Sequence, residues 1–290
     1  MGNPPLRNYP RWHQVWDAVQ RALTPVPWPA RVGLWFRDSS DVVVDRHEVF
    51  VDAPLGVGDA PALRIAFASD FHVGPTTPAQ TVAAAVARLV EARADLLLLG
   101  GDFVSLRAGD ARELARQLAD VPAPLGRYAV LGNHDYWADA DTVAAHLADA
   151  GIELLTNRSV RLPAPFEGIV LSGLDDHTSG EPDAAAAFAD SAAVRIVLMH
   201  APSSLLDIGD RAFTVALCGH THGGQVVLGD LPPLLMPHGA LTRRYPAGRF
   251  ELGAGRSLIV SRGVGCGLLP VRWNAPAAIM VCTIAPAPVG

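Results

Sequence analysis

Five short polar segments interrupt a largely apolar chain: Asp70 and His72 in Ser-Asp-Phe-His, Asp102 in Gly-Asp, Asn133 to Asp135 in Gly-Asn-His-Asp, His200 after Met199, and His220 and His222 in Gly-His-Thr-His. Carboxylate, imidazole and amide oxygen together suit divalent manganese, iron or zinc better than calcium or magnesium. Any one segment is weak evidence, because such pieces occur by chance in many proteins. Their order along one chain points to a hydrolase that uses two cations. No lysine is present, which excludes a Schiff-base or lysine-nucleophile mechanism.

Elements must bring these residues together. Apolar runs at 63–69, 95–100 and 127–131 read as buried strands that end at Asp70, before Asp102 and before Asn133. Two more, at 194–199 and 213–218, precede His200 and His220. Such residues converge if the strands share a sheet and end on one edge, since α/β folds place their ligands at the carboxyl ends of strands. Thr77, Pro78 and Gln80 read as a capping box with proline at the first helical position. The helix that follows would carry Val82, Val86, Leu89 and Val90 on one face. Further helices are expected near 110–120, 139–150 and 183–190. Shorter strands are expected near 42–51, 152–155, 168–173, 225–228, 257–261 and 277–284. The apolar 231–240 stretch reads as a loop.

Residues 1–41 stand apart from the domain expected over 42–290. Trp12, Val15, Trp16, Val19 and Leu23 recur at helical spacing before the proline-rich stretch 24–29. This stripe suits packing on the catalytic domain, or peripheral membrane contact helped by dispersed arginines. No secretory signal or spanning segment is apparent, so a cytoplasmic protein is expected, free or peripheral on the membrane. A net charge of −6 argues against a nucleic-acid partner. Cys218, Cys266 and Cys282 form neither a disulfide framework nor a metal pair.

In order, D-x-H, G-D, G-N-H-D, a lone H and G-H-x-H closely resemble the calcineurin-like metallophosphoesterase superfamily, with every element present from Asp70 to His222. Cys-Gly-His-Thr-His-Gly-Gly-Gln and Ser-Arg-Gly-Val-Gly with Leu-Pro-Val-Arg are similar to its bacterial YkuE/YaeI-like phosphodiesterase branch, over about residues 42–284. The resemblance implies a four-layer αββα sandwich of two mixed β-sheets flanked by helices. It implies two divalent ions, manganese first and iron or zinc as alternatives. Asp70, His72 and His222 would hold one, Asn133, His200 and His220 the other, and Asp102 would bridge them. A water or hydroxide between the metals, with its pKa brought near neutrality, would be the nucleophile. His134 would stabilise phosphoryl oxygens or protonate the leaving group.

Around that set, Asp135 is placed to orient the His134 imidazole or to bond local backbone N–H groups. Tyr136 and Trp137 are candidates to wall a substrate pocket, and Arg262 and Arg272 to bind phosphate. The expected reaction is hydrolysis of a phosphodiester or pyrophosphate. UDP-2,3-diacylglucosamine, of lipid A synthesis, is the leading specific substrate, and nucleotide or general phosphoesters are the alternative. A metal-free binding scaffold is the reading from another class; it predicts eroded ligands, and none is missing here.

Overall fold

The computed structural model describes residues 41–56, 60–229, 231–233, 236–267 and 269–288. The Trp12–Trp16 stripe lies outside them. The first sheet has the order β1 (Val43–Val51), β12 (Ala278–Pro286), β2 (Leu63–Ala68), β3 (Leu96–Leu99), β4 (Arg127–Ala129), β5 (Glu153–Leu154). The second has the order β10 (Gly248–Gly253), β11 (Arg256–Val260), β9 (Val215–Cys218), β8 (Val194–Leu198), β7 (Ile169–Gly173), β6 (Arg158–Arg161). Strands β2 to β5 run parallel, as do β7, β8, β9 and β11. Antiparallel pairs, β12 with β2, β10 with β11 and β6 with β7, make both sheets mixed.

Side-chain alternation along the strands explains why the sheets stack. Leu63, Ile65 and Phe67 of β2, Leu96 and Leu98 of β3, Ile196 and Leu198 of β8, and Val215 and Leu217 of β9 share one core between the sheets. The intervening Ala66, Ala68, Leu97 and Leu99 face a second core with α1 (Ala79–Glu91), α2 (Ala111–Ala119) and α3 (Asn133–Asp149). On the far side, Val197, Ala216 and Cys218 pack with α4 (Ala184–Ala187) and α5 (Leu205–Ile208). All four leucines of β3 are fully buried, and each contributes about 1.5–3 kcal/mol of apolar burial. The result is the expected four-layer sandwich.

Four local expectations change. The Thr77 capping box does not form: Pro78 takes the cap position, and the Thr77 hydroxyl accepts the Cys266 N–H at 3.0 Å. Val90 is exposed. The helix expected from 139 is present after a kink at Asp139, and a further helical segment from Asn133 precedes it, its entry-turn N–H groups accepted by the Asp102 and Asp135 carboxylates. Residues 225–228 form only an isolated bridge, Val226 with Trp273. Strands β6 and β10 escaped the sequence reading because they are edge strands with few buried side chains, so no apolar run marks them. Cys218, Cys266 and Cys282 are free and buried. No helix among the described residues is long and apolar enough to cross a membrane.

Candidate metal centre

Every candidate ligand sits just beyond the carboxyl end of a strand, but the strands belong to two sheets rather than one. Asp70 and His72 follow β2, Asp102 follows β3 and Asn133 follows β4; His200 follows β8, and His220 and His222 follow β9. The cluster therefore exists only when the sheets are packed. Asp70, His72, Asp102, His220 and His222 all have left-handed backbones, with φ of 54°, 44°, 53°, 71° and 53°. Each such conformation costs on the order of 1–3 kcal/mol in a non-glycine residue. It turns the chain sharply at the strand end, and main-chain bonds such as Asp70 N–H to Gly101 O (2.9 Å) and His72 N–H to Asp102 O (3.0 Å) hold it.

Asp102 is central. Its Oδ1 accepts the His134 N–H at 2.8 Å, while its Oδ2 lies 3.4 Å from both His72 Nε2 and His200 Nε2. Glycine is required at 132, where a Cβ would come within 2.3 Å of Asp102 Oδ1 and 2.6 Å of His200 Cε1. At Gly219 a Cβ would fall 2.1 Å from Asp70 Oδ2.

Two donor groups flank this carboxylate. Asp70, His72 and His222 form one, with the two Nε2 atoms 3.1 Å apart and His222 Nε2 3.8 Å from Asp70 Oδ1. In the other, His200 Nε2 faces Asn133 Oδ1 at 3.2 Å and His220 Nδ1 at 3.1 Å. His200 Nδ1 donates to the Gly100 carbonyl (2.8 Å) and His220 Nε2 to the His238 carbonyl (3.0 Å). With those atoms committed, His200 Nε2 and His220 Nδ1 are the nitrogens that face inward, beside an amide oxygen and a carboxylate. Acceptors that converge in a buried site need a positive charge between them. The donor set fits a cation at each group.

The electrostatics agree. Burial holds His72 and His222 well below the usual imidazole range and His220 down at about 4, so all three are neutral donors. For His200 burial is outweighed by the Asp102 carboxylate, which pushes it well above that range. Burial raises Asp70 to about 6. Asp135 is raised to about 8 by burial and by nearby Asp102.

His134 stands above the cluster, its ring 4.6 Å from that of His72 and 4.6 Å from that of Trp137. Its Nδ1 donates to the Ser105 carbonyl at 3.1 Å. Asp135 does not hold this ring. Its carboxylate accepts the N–H groups of Asp102 (2.8 Å), Phe103 (2.8 Å) and Gly132 (2.9 Å), and so ties the Asp102 loop to the start of α3. Tyr136 donates its hydroxyl to Asp175.

The two arginines are placed otherwise than the phosphate reading supposed. Arg262 pairs with both Asp45 oxygens at 2.8 Å. Arg272 is buried, and it donates to the carbonyls of Gly265, Ala275 (3.0 Å) and Arg262 (2.8 Å), with Nη2 3.3 Å from His222 Nδ1. Its guanidinium braces the loops behind His222. His177 pairs with Asp207 at 2.7 Å. Sequence reading missed Ser105 and Gly100, which act through main-chain carbonyls and leave no side-chain signal. It also passed over Asp176, whose place after β7 matches that of the ligands after the other strands.

The calcineurin-like phosphoesterase family model matches residues 63–224. An uncharacterized metallophosphoesterase of Aquifex aeolicus is 30% identical over 231 residues, 77% of this chain and 85% of that protein. Phosphodiesterase YaeI of Escherichia coli is 31% identical over 224 residues, 74% of this chain and 80% of that protein. Among solved structures, TT1561 of Thermus thermophilus is similar with a TM-score of 0.45 at 13% identity, over 70% of this chain and 90% of that one.

Proposed function

This chain belongs to the calcineurin-like phosphoesterases and is a metal-dependent hydrolase; we propose that it cleaves phosphodiester or pyrophosphate bonds at a two-cation centre, with UDP-2,3-diacylglucosamine as the leading substrate. The observation that carries the reading is the single oxygen of Asp102 set 3.4 Å from an imidazole of each donor group. Asp70, His72 and His222 would hold one cation, Asn133, His200 and His220 the other, and Asp102 both. Manganese is the first choice of metal. When bound, the pair supplies positive charge against the phosphoryl oxygens and lowers the pKa of an attacking water.

The chain's own groups do the rest. Because His134 Nδ1 is committed to the Ser105 carbonyl, Nε2 is the atom left to carry a proton to the leaving oxygen as the phosphorus–oxygen bond breaks. Trp137 packs on that ring and limits its rotation. Asp135, through the Asp102 and Gly132 N–H groups, keeps the central carboxylate and the α3 entry in register. The phosphodiesterase relative supports the bond type.

One feature favours an apolar substituent on the phosphate. Leu228, Leu231, Leu269 and Trp273 are exposed, and they lie on two loops joined by Val227 N–H to Trp273 O (2.9 Å) and Gln225 Nε2 to Leu269 O (2.7 Å). The same loop pair reaches the cluster, since a Cβ on Gly267 would lie 2.9 Å from His222 Nε2. An acyl chain has a surface to lie on beside the cluster.

The test incubates manganese-loaded protein with UDP-2,3-diacylglucosamine in detergent and follows products by phosphorus NMR, beside a chromogenic phosphodiester. UMP and a lipid phosphate are expected. Cleavage of the chromogenic ester alone keeps the chemistry and removes the lipid; cleavage of neither overturns both. His134→Ala is expected to keep its metals and lose about 10²–10⁴-fold in kcat. Full activity in that variant would refute the role of His134.

A further inference from the structure

Asp176 is a fully buried carboxylate that neither the donor groups nor the proton-transfer step uses. Its position follows from strand register. Gly173 of β7 pairs with Leu198 of β8, and the Leu174 N–H donates to the Leu198 carbonyl at 3.0 Å. Asp175 and Asp176 therefore leave the sheet alongside Met199 and His200. Asp175 fixes this turn by accepting the Tyr136 hydroxyl from the first turns of α3, close to Asn133, and the Glu181 N–H at 2.9 Å. Asp176 Oδ2 accepts the N–H groups of Thr178 (3.1 Å) and Ser179 (2.7 Å). Its Oδ1 is buried and has no hydrogen-bond partner.

Such an oxygen is costly unless positive charge stands near it. The metal centre offers that charge, and offers it unevenly. The His72–His222 group owns one carboxylate, Asp70, and shares Asp102; the His200–His220 group has Asp102 alone. Behind the first group lies the Arg272 guanidinium, 3.3 Å from His222 Nδ1. On the side of the second, Asp176 leaves the sheet alongside His200. Two divalent cations bring four positive charges against two from ligand carboxylates, and the second position is the poorer in anions.

We infer that Asp176 is a positioning residue that supplies the negative charge missing from the His200–His220 cation position, acting across His200 without being a ligand. The inference rests on the two-cation reading above. It explains why an ionisable side chain with an unpaired oxygen is retained in the interior. It also fits the attraction between the two groups, since Asp176 and His200 act on each other's charge.

Asp176→Asn tests this, because it keeps an acceptor for the Thr178 and Ser179 N–H groups and removes the charge. Full-length chelator-treated protein is titrated with Mn²⁺ by calorimetry, with metal content counted and the metal-free Tm measured. The variant is expected to keep two sites, with one weakened about 10–100-fold, while the metal-free Tm stays level or rises. That weakening should persist in a His222→Ala background and vanish in a His200→Ala background. Unchanged affinity, or a lowered metal-free Tm with both sites at wild-type strength, overturns the inference in favour of a structural Asp176. Wild-type protein that takes up fewer than two ions fails before any variant is compared, and overturns the two-cation reading together with the inference.

Discussion

The two donor groups differ although one carboxylate joins them. Both draw on both sheets: His72 with His222 on one side, Asn133 with His200 and His220 on the other. The first has its own carboxylate and a buried guanidinium behind it; the second has a neutral amide, with a buried carboxylate leaving the sheet alongside His200. Burial leaves the imidazoles of the first neutral, whereas Asp102 pushes His200 of the second toward its charged form. Part of this difference is one of ligand type, Asp70 against Asn133, and part comes from side chains one layer out; together they make the two candidate cation positions electrostatically unlike.

The strongest way to break the comparison is to remove what the groups share. Asp102→Ala is expected to cut affinity at both positions by more than about 10²-fold and to abolish hydrolysis of a chromogenic diester, because both cation positions lose an anionic donor in a buried site. Metal content and turnover should fall together. A variant that keeps one ion at wild-type affinity would show that the carboxylate serves a single group.

Much of this candidate centre was legible in the sequence because each candidate ligand lies in a short polar segment at the end of an apolar strand. Asp70 through His222 announce themselves locally, and the apolar runs at β2, β3, β8 and β9 announce the buried sheets. Other features are products of long-range packing. Nothing near Arg272 marks it as buried behind His222, since its partners come from 262, 265 and 275 in a loop whose path the sheets decide. Asp135 beside His134 suggested contact with the neighbouring imidazole, yet helix geometry turns its carboxylate back onto the Asp102 loop. Asp176 sits in Gly-Leu-Asp-Asp-His, where adjacent acids read as an ordinary turn. The two-sheet origin of the ligands was hidden too, because strand order is not written in any one strand.

A substitution confined to the first group sharpens the comparison. Arg272→Met removes donors from the Gly265, Ala275 and Arg262 carbonyls while keeping an unbranched apolar stem. Leaving several buried acceptors unpaired is expected to cost about 3–5 kcal/mol of stability, read from denaturant unfolding of the metal-free protein. Titration with Mn²⁺ should show the His72–His222 position altered and the His200–His220 position at wild-type affinity. Equal change at both would mean that the brace acts on the whole loop system.

The smallest effect separates the groups by pH alone. In metal-free protein His72, His222 and His220 titrate below the ordinary imidazole range, so they are neutral in the folded state above about pH 6.5, while the unfolded chain still holds part of their protons near that pH. Their contribution opposes the trend and fades as pH rises. His200, raised in the folded state, contributes stability that is full below its unfolded pKa and is lost as pH rises. Asp135, raised to about 8, retains in the folded state a proton that the unfolded chain has already released. Up to about pH 8 the folded state then binds more protons than the unfolded, so stability falls with rising pH. The metal-free protein should lose roughly 1–2 kcal/mol between pH 6.5 and 8, seen as a Tm lower by several degrees. Saturating Mn²⁺ should remove most of that slope, because a bound cation takes the place of the proton shared around His200. A metal-free Tm that rises across this window would mean that the lowered imidazoles of the first group, not the His200 side, dominate the titration.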